Sequence, residues 1–139
     1  MKQLMIIGTD TDVGKTYVSG LILKKLHENG KKAAYFKAAM SGNVRLADGF
    51  LLPGDADFVK TISGISQPLA DMCPYVYETA VSPHLAAKIE GNPIEWEKIQ
   101  ETYDTLCGTY DFVTVEGSGG ILCPLHHDET ASFSLADFV

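Results

Sequence analysis

The sequence has few cysteines: Cys73, Cys107 and Cys123, an odd number, widely spaced and without a C-x-x-C pair. That scatter argues against a disulfide framework and a cysteine-held zinc, and fits reduced thiols in a cytosol. No apolar run approaches the roughly 18 residues that a bilayer-spanning helix needs. Lys2 leads through a short apolar run straight into a glycine loop, without the h-region and small-residue cleavage site of a secretory signal. Positive charge is scarce too. Eleven Lys and Arg against 18 Asp and Glu leave a net charge of −7, which lacks the basic footprint that nucleic acid requires. The expectation is a cytoplasmic chain with no nucleic-acid or membrane partner. Any phosphate it holds is held by local geometry.

What is present reads as globular: 45% hydrophobic and 21% charged residues in 139 positions. This length suits one domain, able to bury ~68% of its unfolded surface. "QLMIIG" predicts a buried strand at residues 3–7, after which Val18, Leu21, Ile22 and Leu26 mark one face of a helix stopped by Gly30. "KAAYFKAA" predicts a second strand, residues 33–38, parallel to the first and placed beside it through a right-handed crossover. Residues 43–54 carry no clean period and read as loop, with Asp55 capping a short helix. Around "CPYVYE" a short extended piece is expected. Ser82-Pro83 opens a helix to about Glu90, and a further helix spans about residues 94–106, ended by Gly108. "DFVTV" gives a third buried strand, residues 111–115, running into a second glycine loop, and "FSLADFV" reads as the start of a helix. The predicted class is α/β and P-loop NTPase-like, a mostly parallel sheet flanked by helices. Only three strands are counted, and the chain stops on Phe138-Val139 without a capping signal. The expectation is therefore one ATP-binding domain over residues 1–139, incomplete at its C-terminus.

The loop "GTDTDVGKT" departs from the usual phosphate-loop spacing, which sets a glycine five residues before the glycine of Gly-Lys-Thr/Ser. Thr9 stands there, and the glycine is Gly8. Its context, after a strand and before a helix, favours a phosphate site over a plain turn, since unpaired N–H groups and the helix dipole face an anion. Lys15 would neutralise β/γ-phosphates and Thr16 offer a hydroxyl to Mg²⁺. Glu116, at the C-terminal end of the third strand, and Asp55 are candidate carboxylates for that metal. Read alone, Glu116 is a solvated strand end and Asp55 an N-cap, and Asp57 is an equal rival to Asp55. Lys37 closes the second strand at the same edge, where it would stabilise charge or simply reach water. Ser41, in the following loop, could bond a substrate. His126-His127-Asp128-Glu129 lacks helical zinc spacing and reads as a solvated loop. His27 and His84 read as surface groups, and Trp96 and Tyr103 as core.

The unusual spacing resembles the loop of the dethiobiotin synthetase family, Gly-Thr-Asp/Gly-Thr-x-Val/Ile-Gly-Lys-Thr. "FKAAMSG" at 36–42, "GDADF" at 54–58, "SPHLAA" at 82–87 and "VEGSGGILCPL" at 115–125 are similar to further segments of that family in the same order. The resemblance implies ATP phosphates on Asp12, Val13, Gly14, Lys15, Thr16 and Tyr17. It implies Mg²⁺ near Thr16, Asp55 and Glu116, with nucleotide contacts from Glu116, Gly117, Ser118 and Gly119. Lys37 would be the active-site lysine, with Lys15 sharing the neutralisation of charge. Thr11, Asp12 and Ser41 would face the diamine, 7,8-diaminononanoate. The implied reaction is capture of CO₂ by a neutral amine as a carbamate, attack of the carbamate oxygen on the γ-phosphate to give a carbamic–phosphoric anhydride and ADP, and closure of the ureido ring by the second amine with expulsion of phosphate. Ala38 stands where the family has proline and Ser118 where it has alanine. Family members are longer, and they are homodimers whose partner subunit completes the substrate site.

Two other readings differ in kind. One is an amidotransferase-type synthetase or acyltransferase with a similar N-terminal domain. The other is a partitioning-type ATPase switch, whose loop carries an extra lysine where this chain has Thr9 and Asp10.

Overall fold

The computed structural model describes residues 1–138. Val139, the second residue of the apolar ending, lies outside the described residues. The chain runs through β1 (Lys2–Ile6), α1 (Lys15–Glu28), β2 (Ala33–Phe36), β3 (Ala39–Met40), β4 (Val44–Arg45), β5 (Leu51–Leu52) and α2 (Gly54–Ser63). It continues through α3 (Leu69–Met72), β6 (Tyr75–Val76), α4 (Pro83–Glu90), α5 (Trp96–Thr109), β7 (Phe112–Glu116), β8 (Pro124–His127) and β9 (Ser132–Ser134). A 3₁₀ turn, Leu135–Asp137, follows.

Three parallel strands form the main sheet in the order β1-β7-β2. The α/β class and the parallel pairing are as read from the sequence, but the neighbours are not. β7 inserts between β1 and β2, so Lys37 lies beside the third strand and not the first. Nor is β1 buried: Lys2, Gln3 and Leu4 are exposed. Its far edge pairs with no strand among the described residues.

Side chains of β2 and β7 alternate between two cores, as a period-2 strand requires. Ala34, Phe36, Val113 and Val115 enter one cluster with Ile99 and Leu106 of α5. There Tyr103 lies 5.4 Å from Phe36, centroid to centroid. Ala33, Tyr35 and Phe112 face the other cluster with Leu23 of α1 and Val59 of α2. Thr114 and Glu116 share that parity.

The face of α1 differs from the periodic reading. Val18 and Leu21 are exposed, whereas Ser19, Gly20 and Leu23 are buried. The reason is close packing on α2: a Cβ at Gly20 would stand 2.6 Å from Ile62 Cδ1. Small residues, not large apolar ones, mark this face. Four smaller corrections follow. Residues 43–54 contain an antiparallel β4–β5 hairpin, closed by Leu46 and Phe50. Pro53, not Asp55, precedes α2. α5 runs through Gly108, with Tyr110 N–H donating to Leu106 O. The last segment forms a β8–β9 hairpin before its short 3₁₀ turn. The Ser82-Pro83 start of α4 and the extended piece at Tyr75–Val76 are as expected.

Leu23→Ala is expected to cost about 2–5 kcal/mol of unfolding free energy, because Leu23 is fully buried. Leu21→Ala, on the side the periodicity favours, should change it by no more than about 0.5 kcal/mol. Urea denaturation of the two variants checks the assignment. Equal losses would contradict it.

Candidate functional site

β1 leads into the loop of residues 7–14, and α1 starts at Lys15 with Gly14 as its N-cap. Gly14 adopts φ +95°, a left-handed conformation open to glycine and costly for most other residues. Asp12 also has a positive φ, 56°, which aspartate tolerates better than most. Asp10 Oδ1 accepts the Thr11 N–H at 2.7 Å, giving Asp10 a role in shaping the turn. Lys15 folds back over the same loop, and its ammonium donates to Asp10 O.

The loop opens onto a cleft of about 870 Å³. Thr11, Asp12, Gly14, Lys15, Thr16 and Tyr17 line one side. Lys37, Ser41 and Asp55 meet them there, with Glu116, Ser118 and Gly119 at the end of β7. Two expected nucleotide contacts lie off its wall. Val13 is more than half exposed. Gly117 is turned into the sheet, its N–H donating to Ile6 O at 2.9 Å. Of the two rival acids, Asp55 lines the cleft and Asp57 does not.

At the centre are two carboxylates and one ammonium. Continuing the β2–β7 register beyond Phe36↔Val115 brings Lys37 opposite Glu116. Lys37 Nζ lies 2.9 Å from Glu116 Oε1 and 2.6 Å from Asp55 Oδ2. The Glu116 side chain is wholly buried, that of Lys37 nearly so, and that of Asp55 partly exposed. Burial alone would push the Lys37 ammonium down from its ordinary pKa. Glu116 and Asp55 outweigh that and hold it above. Lys37 is therefore a fixed cation across the physiological range.

Thr16 Oγ1 donates to the same Glu116 oxygen at 2.8 Å, and Ser19 and Tyr35 reach the other oxygen at 2.8 and 3.1 Å. These last two escaped the motif search. Strand parity could have found Tyr35, which precedes Lys37 at i, i+2 spacing and so shares its side of the chain. Helix spacing could have found Ser19, at i+3 from Thr16. Ser41 Oγ donates to Val81 O and Ser118 Oγ to Ala39 O, so both hydroxyl protons are used in bracing loops.

Among the described residues no cluster of three His, Cys, Asp or Glu side chains is placed to hold a metal by itself. Thr16, Asp55 and Glu116 instead offer a sparse all-oxygen set. That is the set Mg²⁺ uses when phosphate and water complete its shell. The histidine pair stands apart, His126 bonded to Asp128 at 2.8 Å and stacked on Phe133.

A strand, a glycine turn over which a lysine folds, and a helix whose first threonine meets a carboxylate at the end of the neighbouring strand define the P-loop nucleotide-binding class. Within that class the chain belongs to the AAA domain family, whose model matches residues 2–136. It is similar to proteins named ATP-dependent dethiobiotin synthetase BioD. One from Clostridium novyi (strain NT) is 48% identical over 136 residues, 98% of this chain and 57% of that protein. One from Clostridium perfringens (strain 13 / Type A) is 47% identical over 128 residues, 92% and 56% of the two chains. One from Brachyspira hyodysenteriae is 41% identical over 138 residues, 99% and 60%. The chain thus spans somewhat more than half the length of these relatives.

Behind the ion pair lies Cys73, whose pKa burial pushes up to about 12, with Lys37 pulling the other way. The unfolded thiol ionises near its ordinary 9.0. Its contribution to stability is therefore complete below pH 9 and is lost as pH rises toward 12. The expected slope is at most about 1.4 kcal/mol per pH unit. Urea denaturation across this range should show the decline, and Cys73→Ala should make it shallower.

Proposed function

We propose that this chain is the nucleotide-binding part of an enzyme that consumes ATP with Mg²⁺ to join CO₂ to 7,8-diaminononanoate and close the ureido ring of dethiobiotin. The single observation that supports this most is the Lys37 ammonium, held between Glu116 and Asp55 and facing the glycine loop across one cleft. The names of the relatives point the same way.

In this reading Lys15 leaves Asp10 O for the β/γ-phosphates, and the N–H groups at the start of α1 cradle them. Thr16, Asp55 and Glu116 would hold Mg²⁺, the Lys37 ammonium turning from their oxygens toward the phosphoryl group, and the ion would supply charge neutralisation there. Lys37 stabilises negative charge developing on that group and on the attacking carbamate oxygen. Thr11, Asp12 and Ser41, which line the cleft, face the diamine, and Asp12 receives one of its amines. Ser118 and Gly119 border the nucleotide. Val13 and Gly117, off the wall, act through the loop backbone. ATP supplies the phosphoryl group that makes the carbamate reactive, and the protein's share is positioning and charge. The whole enzyme is a cytoplasmic homodimer whose partner subunit completes the substrate site, and this chain forms a single ATP-binding domain in it.

The test is formation of the cyclic urea, read by mass spectrometry, from full-length protein given ATP, Mg²⁺, bicarbonate and the diamine. Lys37→Ala should lower turnover by about 10²–10³-fold, the scale of losing one fixed charge at a transition state. Near-unchanged turnover would remove Lys37 from the chemistry. Nucleotide binding without diamine-dependent phosphate release would overturn the reading as a whole.

A further inference from the structure

Glu116 carries a full carboxylate with no exposure to solvent, and its two oxygens are treated differently. Oε1 receives Thr16 and Lys37, the groups that face the cleft. Oε2 receives only Ser19 and Tyr35, from behind. The two rear donors are themselves unequal. Ser19 Oγ has one proton and two acceptors in reach, Glu116 Oε2 at 2.8 Å and Lys15 O at 2.9 Å. It cannot satisfy both at once. The Tyr35 hydroxyl bonds only to Glu116 among the described residues.

Tyr35 is also held at its other end. Its N–H donates to Gln67 Oε1 at 2.7 Å and its carbonyl accepts from Gln67 Nε2 at 2.9 Å. Gln67 is buried, and the tyrosine ring packs among Leu23, Ala56, Val59 and Met72 without exposure. A phenol fixed at both ends is a strut. Rotation of the carboxylate would break its bond and leave a buried hydroxyl unsatisfied.

We infer that Tyr35 is a positioning residue, assisted by Ser19, that holds Glu116 Oε2 from behind and so keeps Oε1 turned toward Thr16, where the cation is bound. This rests on the phosphate and Mg²⁺ reading above. Without the strut Glu116 keeps the Thr16 and Lys37 bonds at Oε1, but behind it only Ser19, whose proton is shared with Lys15 O, still restrains Oε2. The cation then meets a carboxylate that must be oriented on binding.

The experiment is calorimetric titration of full-length protein with ATP, with and without Mg²⁺, in the wild type, Tyr35→Phe and Ser19→Ala. Tyr35→Phe removes one oxygen and keeps the ring. Loss of one bond to a charged group corresponds to about a tenfold rise in the Mg²⁺ concentration that half-saturates tight nucleotide binding. Mg²⁺-free ATP affinity should stay within about twofold, since the loop is untouched. Ser19→Ala should raise the Mg²⁺ requirement by a smaller factor, because its proton is shared. Two outcomes overturn the assignment alone: an unchanged Mg²⁺ requirement in Tyr35→Phe, or equal losses with and without Mg²⁺, the mark of general loosening. A wild type with no Mg²⁺-dependent ATP binding overturns the phosphate reading, and the strut with it.

Discussion

The ammonium of Lys37 is the contact on which the site depends, because it joins three elements that share no local sequence. It closes β2, reaches Glu116 at the end of β7 and pairs with Asp55 in the first turn of α2. Burying a carboxylate such as Glu116 costs several kcal/mol even after relaxation. Four donors around it, one of them charged, offset that cost. Such an arrangement is a weak source of stability and a strong constraint on geometry. If β2 shifted against β7, Glu116 would be left as a buried charge without its ammonium.

The surrounding structure serves that constraint. Strand parity sends Phe36 and Val115 to one core and Tyr35 and Glu116 to the other side. The functional side is therefore backed by a complete hydrophobic layer beneath α5. On that functional side α1 must approach α2 closely enough for Thr16 and Asp55 to border one cleft. Gly20 permits the approach, since a Cβ there would meet Ile62 of α2, and the buried Ser19 next to it turns its hydroxyl to Glu116.

Much of this was legible in the sequence, and the failures have physical causes. The main strands, the principal helices and the glycine loop were found from period and punctuation, because those signals are local. Motif and sheet-edge rules concern residue type and strand end, so they single out phosphate-loop residues, Lys37 and Glu116, which the structure gathers with Asp55 at one cleft. Sheet order was not found: the strand that pairs with both β1 and β2 lies far along the chain, and periodicity carries no information on neighbours. The buried face of α1 was misread because it is built from glycine and serine, which an apolar pattern passes over. Tyr35 was missed for the reverse reason, a tyrosine in an apolar strand reading as core. Of the two readings open for Asp55, the N-cap fails, because its carboxylate is engaged with Lys37 and caps nothing.

The place of β7 between β1 and β2 also bears on how the chain acquires its shape. Lys2 pairs with Phe112, about 110 positions later, so among the described residues β1 has no strand neighbour until β7 is made. At about 5–20 residues per second, β1 and its glycine turn wait on the order of 5–20 seconds as nascent chain. Closing so long a loop is slow but adds only a logarithmic entropic cost. During synthesis the turn is therefore an unframed segment, and it becomes a receptor for anions only when the middle strand arrives.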